Sequence, residues 1–172
     1  MKSYKLFTDE ECKEVIKFLE NRNKWDYIRR SEPNDELYAE YYVSKFIEND
    51  FVSEKFKTYI KKEFSFDVNV ANVAALKYLP NFKFGRHIDR SYHLEFNKDF
   101  LYNINVTLND DYEGGEFWLD DELFEGNLPG YVYCYNSTQW HEIKPITKGI
   151  RYSLLCFVRE RDLIIKEKKS LI

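Results

Sequence analysis

The sequence predicts an α+β fold that is mainly β, in which a barrel or sandwich of short strands is backed by N-terminal helices. Up to about residue 67, apolar residues recur at the spacing of amphipathic helices. From about residue 68, short alternating or apolar runs are separated by turn residues. A series of short strands with this spacing is typical of sandwiches and barrels.

Residues 1–67 are predicted to form a helical support for the strands. Thr8 and Glu11 have the spacing of a capping box, in which each side chain accepts a hydrogen bond from the backbone of the other residue. A helix is therefore expected to begin at this point. The predicted elements of this region are a helix over 8–21, a charged loop over 22–36 and helices over about 37–48 and 51–63.

Residues 68–159 are predicted to form the β core, and the whole chain, 1–172, is read as a single domain of ordinary size. Residues 160–172 are charged and predict a terminal helix or a frayed tail. The strands of the core are predicted near 69–79, 83–89, 100–108, 115–119, 130–135, 140–144 and 150–159.

Composition excludes several classes of protein. Charged residues make up 33% and hydrophobic residues 44% of the chain, a balance typical of globular rather than disordered proteins. The net charge of −4 argues against nucleic-acid binding, which usually requires a basic surface. No apolar run is long enough to span a membrane and no signal sequence is visible, so a cytoplasmic location is expected. The three cysteines lie far apart, which disfavours a zinc ribbon or a disulfide framework.

Two histidines and an aspartate form a candidate metal site. His87 and Asp89 are two residues apart at the end of a predicted strand, so their side chains project from the same face. His141 begins another predicted strand. Two imidazoles and one carboxylate on one octahedral face are typical of non-haem Fe(II) oxygenases. The alternatives are a surface hydrogen bond between His87 and Asp89, and packing of His141 beside Trp140.

A buried arginine is predicted near this cluster. Alternation along strand 150–159 places Arg151 and Ser153 on one face, pointing into the barrel. A buried guanidinium is costly unless an internal carboxylate or an anionic ligand pairs with it. Guanidinium matches a carboxylate with two hydrogen bonds, so a carboxylate-bearing cosubstrate is one reading. Thr107 shares a polar face with Asn103 and Asn105, which points either towards Arg151 or towards solvent.

With these residues in place, the chain resembles the Fe(II)- and 2-oxoglutarate-dependent oxygenases, in particular their prolyl 4-hydroxylase-like branch. The resemblance covers roughly residues 68–159. The blocks that carry it are Tyr78-Leu79-Pro80 with Arg86-His87-Ile88-Asp89, Thr107-Leu108-Asn109-Asp110 leading to Gly114-Gly115-Glu116, His141-Glu142-Ile143 with Pro145, and Gly149-x-Arg151-Tyr152-Ser153.

The resemblance implies a double-stranded β-helix (jelly-roll) fold and a dioxygenase that hydroxylates a C–H bond. It implies that O2 and 2-oxoglutarate are consumed and that succinate and CO2 are released, with ascorbate as a candidate reductant. Fe(II) would be bound by His87, Asp89 and His141. The cosubstrate contacts would be Arg151, which would hold the distal carboxylate of 2-oxoglutarate, together with Tyr78, Thr107 and Ser153.

The chain departs from the pattern of this branch at two positions that concern the substrate pocket. Thr107 stands where tyrosine or another polar residue is common opposite the arginine, and Phe84 stands where tyrosine is common. The resemblance suggests a peptidyl residue, such as proline, as substrate, while a free amino acid or another small molecule is the alternative. The third histidine, His93, is read either as a solvated loop residue or as part of the substrate entrance.

Two other functions fit the same residues. A catalytically silent module could bind metal and 2-oxoglutarate as a sensor or a partner-binding protein. A cupin-like metal enzyme could act without 2-oxoglutarate. The sequence does not predict an oligomeric state.

Overall fold

The computed structural model describes residues 4–31, 37–45, 49–64, 67–68, 72–90 and 98–164. Fifteen strands and two α-helices lie within these ranges. The helices are α1 (Asp9–Arg22) and α2 (Asp50–Phe64), and a short 3-10 turn covers Glu160–Asp162. The strands are β1 (Tyr4–Lys5), β2 (Asp26–Ser31), β3 (Leu37–Ser44), β4 (Asp67–Val68), β5 (Asn72–Tyr78), β6 (Phe84–His87), β7 (Phe100–Thr107), β8 (Glu113–Gly114), β9 (Phe117–Leu119), β10 (Glu122–Leu123), β11 (Tyr131–Asn136), β12 (His141–Ile143), β13 (Ile146–Lys148), β14 (Arg151–Arg159) and β15 (Leu163–Ile164).

The predicted capping box starts α1. The Glu11 backbone N–H donates to the Thr8 hydroxyl at 3.2 Å, and the Thr8 N–H donates to the Glu11 carboxylate at 2.8 Å. The helix ends at Asn23, which adopts the left-handed conformation with φ of 48°. The Glu11 carboxylate also accepts from the amino group of Lys55 in α2 at 2.8 Å, so the first turn of one helix is tied to the other.

The prediction of a helix over residues 37–48 is wrong. This segment forms strand β3, and residues 46–48 lie outside the described ranges. Its aromatic and β-branched residues favour a strand, and Ala39, Tyr41 and Val43 alternate into a buried cluster on one face. The period of two was hidden because the intervening residues include Tyr38 and Tyr42, which are apolar enough to suggest a helical stripe.

The predicted charged loop over residues 22–36 contains strand β2. It pairs antiparallel with β3, with Ile28 opposite Tyr41 and Arg30 opposite Ala39. Five of its six residues are exposed, because β2 has a neighbour on one side and lies at the border of the sheet. Such an edge strand carries little hydrophobic signal, which is why the sequence did not reveal it. Residues 32–36 lie outside the described ranges.

The strands after residue 68 form a curled antiparallel sheet, as the predicted β core requires. The order of hydrogen-bonded neighbours is β1-β11-β7-β14-β5-β3-β6-β12-β9-β10, and β2 is added beside β3. Two smaller pairs, β13 with β8 and β15 with β4, lie outside this path. The mainly β class and the double-stranded β-helix fold predicted from the sequence are therefore confirmed.

The helices cover the outer face of the central strands. Cys12, Val15 and Leu19 of α1 join a buried cluster with apolar residues of α2 and of the sheet. The other members from α2, β7 and β14 include Val52, Phe56, Tyr59, Ile60, Ile104, Val106, Leu154 and Cys156. The inner face of the same strands borders a cavity. The fold thus places one layer of helices behind the wall that carries the candidate site.

The C-terminal segment, predicted from residue 160 onwards as a terminal helix or a frayed tail, differs in part from that prediction. The 3-10 turn and β15 occupy the start of the segment predicted as a terminal helix or tail, and residues 165–172 lie outside the described ranges. His93 also lies outside them. Among the residues described, the helices fall short of the length and apolar character that a membrane span needs.

Candidate active site

A cavity of about 480 Å³ lies within the curl of the sheet. Its walls come from strands of the main sheet, namely β2, β3, β5, β6, β7, β9, β11, β12 and β14. Arg151, at the start of β14, and the side chains of His87, Asp89 and His141 all line it. The cavity therefore brings the candidate metal ligands and the predicted buried arginine into one space.

His87, Asp89 and His141 form a compact group, called here the His–Asp–His cluster. Their ligand atoms all lie within 4.8 Å of one another. His87 is the last residue of β6 and stands opposite His141, the first residue of β12, in the antiparallel pair. The Nε2 atoms of His87 and His141 lie 3.4 and 3.3 Å from the two carboxylate oxygens of Asp89.

Backbone carbonyls set the orientation of both imidazoles. Nδ1 of His87 lies 2.8 Å from the carbonyl oxygen of Gly85, and Nδ1 of His141 lies 3.0 Å from that of Gln139. A carbonyl only accepts hydrogen bonds, so each Nδ1 carries the proton and donates it. Nε2 of each ring then faces the Asp89 carboxylate: it donates to that carboxylate when the ring is protonated, and it presents its lone pair to a metal when the ring is neutral.

Hydrogen bonds that run from Ser137 through Asn103 hold the Asp89 carboxylate in place. The Asn103 amide nitrogen donates to Oδ2 of Asp89 at 2.6 Å, and the Ser137 hydroxyl donates to the Asn103 carbonyl oxygen at 3.3 Å. The Asp89 backbone N–H donates to the Ser137 carbonyl at 3.1 Å. Burial raises the pKa of Asp89, but contact with His141 and His87 more than offsets this and holds the pKa well below its usual range. The carboxylate is therefore ionised and restrained.

An aromatic ring packs on one of the imidazoles. Phe84 stacks on His87 with ring centroids 3.8 Å apart and an interplanar angle of 9°. The Tyr38 ring meets the same imidazole edge-on at 6.2 Å. The absence of a hydroxyl at Phe84 thus leaves an apolar face against His87, which restricts water on that side of the cluster.

Arg151 is 1% exposed, and its guanidinium lies among neutral groups. It donates to the Ser153 hydroxyl at 3.1 Å and to the Thr107 hydroxyl at 3.4 Å, and it lies 5.7 Å from the ring centre of Tyr78. Its Nε has no hydrogen-bond partner, and none of the described carboxylates lies within ion-pair distance. The sequence predicted that either an internal carboxylate or an anionic ligand pairs with Arg151. The described residues offer no such carboxylate, which favours the anionic ligand.

The polar row of β7 faces the interior. Asn103, Asn105 and Thr107 are buried on the cavity side, whereas Ile104 and Val106 pack against the helices. The alternative of a solvated outer face is therefore wrong. Burial in a mostly apolar interior is tolerated because each of the three side chains has a hydrogen-bond partner.

Tyr112, Tyr133 and Asn127 lie around Arg151; of these, the sequence marks only Tyr133 as a possible pocket residue, with a core position as the favoured alternative. The hydroxyls of Tyr112 and Tyr133 face the guanidinium, and burial raises the pKa of Tyr133 to about 12, so this phenol stays neutral. Thr107 donates to the side-chain oxygen of Asn127. Alternation along β11 could have placed Tyr133 on the inner face. Tyr112 and Asn127 lie in loops, where the sequence offers no period that would indicate their direction.

Comparison with known proteins identifies the family. A profile described as "2OG-Fe(II) oxygenase superfamily" matches residues 73–159, about half of the chain. A PKHD-type hydroxylase from Prochlorococcus marinus (strain MIT 9515) is 27% identical, over 98% of this chain and 82% of the relative. A PKHD-type hydroxylase from Aliarcobacter butzleri (strain RM4018) is 31% identical, over 44% of this chain and 37% of the relative.

Solved structures share the fold. A prolyl-4-hydroxylase from Pseudomonas putida superposes with a TM-score of 0.70 at 14% sequence identity, covering 92% of this chain and 91% of the other. A prolyl hydroxylase from Trichoplax adhaerens, in complex with a peptide fragment of the hypoxia inducible factor oxygen degradation domain, superposes with a TM-score of 0.69 at 14% identity, covering 94% and 84%.

The family profile covers the whole stretch from β5 to β14, which carries the His–Asp–His cluster and Arg151. The family uses Fe(II), 2-oxoglutarate and O2, and the donor set in the cavity suits such a metal. This chain belongs to the 2OG-Fe(II) oxygenase superfamily.

Proposed function

We propose that this protein is a dioxygenase that hydroxylates a C–H bond of a peptidyl proline and converts 2-oxoglutarate and O2 into succinate and CO2. One observation carries the proposal. The His–Asp–His cluster, with all ligand atoms within 4.8 Å, shares a cavity with a buried arginine that has no carboxylate partner among the described residues. A metal centre beside an unpaired cation suits an anionic cosubstrate that must reach the metal.

In this proposal His87, Asp89 and His141 hold Fe(II). Two imidazole nitrogens and one carboxylate oxygen form the facial set of non-haem Fe(II) oxygenases, and this set leaves coordination positions open. Bound iron supplies the position at which 2-oxoglutarate and O2 react. The Gly85 and Gln139 carbonyls keep the imidazole lone pairs directed towards the centre of the cluster.

Arg151 would bind the distal carboxylate of 2-oxoglutarate. A guanidinium can donate two parallel hydrogen bonds to a carboxylate, and burial strengthens this contact because little water competes for it. Ser153 and Thr107 contact the guanidinium nitrogens and fix its plane, and the Tyr78 ring packs beside it. These four residues would therefore set the distance between the bound cosubstrate and the cluster.

The family membership supports oxidation of a peptide or a small molecule. Proline in a peptide is proposed because relatives are named PKHD-type hydroxylases and because a structural neighbour is a prolyl hydroxylase bound to a peptide fragment. The free amino acid is the alternative, and it is distinguished by assaying both kinds of compound in parallel. A catalytically silent module would bind metal and 2-oxoglutarate without forming succinate.

The test is succinate formation from 2-oxoglutarate in the presence of Fe(II), ascorbate and O2, with and without proline-containing peptides. The proposal predicts iron-dependent succinate formation that a suitable peptide increases. Substitution of His141→Ala should abolish both iron binding and turnover, because two ligands hold the metal less well than three. Absence of iron binding and of turnover in the unsubstituted protein would refute the proposal.

The role of Arg151 is tested separately by Arg151→Ala. The expected result is a loss of 2-oxoglutarate affinity of about tenfold or more, since a hydrogen-bonded charge pair contributes about 1.5–3 kcal/mol. Metal affinity should stay near that of the parent, because Arg151 has no contact with the cluster among the hydrogen bonds described. An unchanged affinity for 2-oxoglutarate would contradict the assigned role.

A further inference from the structure

Strand β14 places a second arginine, Arg159, on the inner wall of the cavity. Arg151, Ser153, Leu155, Phe157 and Arg159 alternate along this strand, and all five line the cavity. Arg151 begins the strand and Arg159 ends it. The wall therefore carries one guanidinium at each end.

Arg159 resembles Arg151 in its lack of an acidic partner. Its guanidinium carbon lies 4.7 Å from the ring centre of Phe100, and its Nε is buried with no hydrogen-bond partner. Among the described residues, no carboxylate lies within ion-pair distance of Arg159. Arg161, two residues further on, is 2.7 Å from the carboxylate of Asp99. Asp99 is thus engaged by Arg161.

The charge of the cavity wall is positive beyond the cluster. Apart from the His–Asp–His cluster and Arg151, the charged residues that the structure places along the wall are Arg30, Lys45 and Arg159. Arg30 and Lys45 are exposed, and Lys45 lies 3.7 Å from the carboxylate of Asp26. Arg159 is partly buried, so water screens its charge less than theirs. Of these three cations, Arg159 is therefore the one whose charge acts most strongly on an anionic group in the cavity.

The register of the sheet locates Arg159 close to the cluster. Phe157 pairs with Asn103, whose amide contacts Asp89, and Arg159 pairs with Phe100 after a β-bulge. Residues two apart on a strand are separated by roughly 6.5 Å. The Arg159 backbone therefore lies roughly 6.5 Å along β14 beyond Phe157, the residue opposite Asn103. The cavity wall between Arg159 and the His–Asp–His cluster is apolar, because the rings of Phe100 and Phe157 line it with their centroids 4.6 Å apart.

We propose that Arg159 binds a carboxylate of the substrate. The compound recognised would combine an apolar body, packed against Phe100 and Phe157, with a carboxylate about one residue away from the C–H bond that is oxidised. Guanidinium binds a carboxylate through two hydrogen bonds, and the orphaned Nε can be one of the donors. The carboxylate can be the free α-carboxylate of an amino acid or an acidic side chain beside proline in a peptide. This inference rests on the proposed function and specifies its substrate class.

The test is equilibrium binding to protein loaded with Mn(II) and 2-oxoglutarate, in which no oxidation takes place. Two matched pairs of probes separate the sources of the carboxylate. L-proline is compared with L-prolinamide, and a blocked peptide with glutamate next to proline is compared with its glutamine counterpart. We expect one of the carboxylate probes to bind about tenfold or more tightly than its amide. The pair that shows the preference identifies the source.

Three variants assign that preference to Arg159. Arg159→Gln should remove it, and Arg159→Lys should retain part of it, because lysine keeps the charge but lacks the planar pair of donors. Arg161→Ala is the matched control, since it removes the same charge from a residue outside the cavity wall, and it should keep the full preference. Thermal unfolding of each variant verifies that the protein is folded.

Either of two results overturns the inference. One is equal affinity for carboxylate and amide in both pairs, including the case in which neither member binds measurably. The other is a carboxylate preference that survives Arg159→Gln in folded protein. Failure of the proposed function would instead appear as a lack of metal or 2-oxoglutarate binding in the unsubstituted chain, so the two failures are distinguishable.

Discussion

Both faces of β7 and β14 bury side chains completely, but the two faces differ in chemistry. On the outer face, Ile104, Val106 and Leu154 are fully buried against the helices. On the inner face, Asn103 and Arg151 are equally hidden from solvent. The outer residues gain stability from packing and loss of apolar surface to water. The inner residues need partners for each polar atom, and Arg151 keeps one donor without a partner. The same strands thus stabilise the fold on one side and hold the site on the other.

The largest expected effect on stability is on the outer face. Leu154→Ala should lower the free energy of unfolding by about 2–5 kcal/mol, because it removes buried methyl groups and leaves a cavity. The measurement is urea unfolding of the metal-free protein. The affinity of the folded variant for 2-oxoglutarate should stay near that of the parent. A loss below about 1 kcal/mol would show that the outer face tolerates voids and would weaken the comparison.

Arg151→Met is the inner-face counterpart on the same strand. It removes a buried cation without a described acidic partner and fills a similar volume, so the free energy of unfolding should stay within about 1 kcal/mol of the parent. Affinity for 2-oxoglutarate should fall, as expected for Arg151→Ala. A loss of stability as large as that of Leu154→Ala would mean that Arg151 is a structural residue.

Asn103 and Asn105 sharpen the comparison within the inner face. They share a strand and a face, but Asn103 donates to the Asp89 carboxylate, whereas Asn105 donates to the Tyr135 hydroxyl at 3.3 Å. Asn103→Ala should weaken Mn(II) or Fe(II) binding about 10–100-fold, the usual cost of losing a residue that orients a metal ligand. Asn105→Ala also removes a buried amide and should leave the metal affinity close to that of the parent.

Asn103→Asp separates orientation of Asp89 from packing. The new side chain has the same shape but presents a carboxylate oxygen to Asp89 in place of the N–H donor. We expect it to lose at least as much metal affinity as Asn103→Ala. Parent-like metal binding in Asn103→Asp, measured by titration calorimetry in folded protein, would contradict the positioning role.

The smallest expected effect is at the capping box, on the surface of the helical layer. Contact with the Lys55 amino group holds the pKa of Glu11 below its ordinary value, against the opposing effect of burial. A carboxyl group with a lowered pKa stabilises the fold above its ordinary pKa of about 4.3, and this contribution is lost as the pH falls through the folded-state pKa. Glu11→Gln should therefore lower the free energy of unfolding at neutral pH by less than about 1 kcal/mol. The variant should also lose less of its free energy of unfolding than the parent does when the pH is lowered. Glu10→Gln, at the exposed neighbour, is the control for a change in net charge.

Much of the fold was predictable because periodicity is a local property. The seven strands predicted after residue 68 all occur, and the capping box marked the start of α1 to within one residue. The long strands that were missed are β2 and β3, and six strands of two or three residues were also not predicted: β1, β4, β8, β10, β13 and β15. The aromatic residues of β3 fit a helical stripe as well as a strand, and the choice depends on its pairing with β5, β6 and β2, which are distant in sequence or carry a weak signal.

The candidate site divides in the same way. Residue type and spacing alone single out His87, Asp89, His141 and Arg151 as candidates. The roles of Asn103, Ser137 and Arg159 were not visible, because a buried asparagine and a surface asparagine look alike in a sequence. Their meaning follows from cross-strand neighbours: Phe157 beside Asn103, and Phe100 beside Arg159.

The sequence alone determined the class of fold, the direction in which alternating residues of β7 and β14 point relative to one another, and the identity of the candidate metal ligands. These properties depend on residue chemistry and on a period of two along a strand. Only the tertiary structure decided that the polar face of β7 points into the interior and that Arg151 lacks a described carboxylate partner. It also placed a second guanidinium at the far end of the same wall. Those facts depend on distances between segments far apart in the chain, which the curl of the sheet sets and no local pattern encodes.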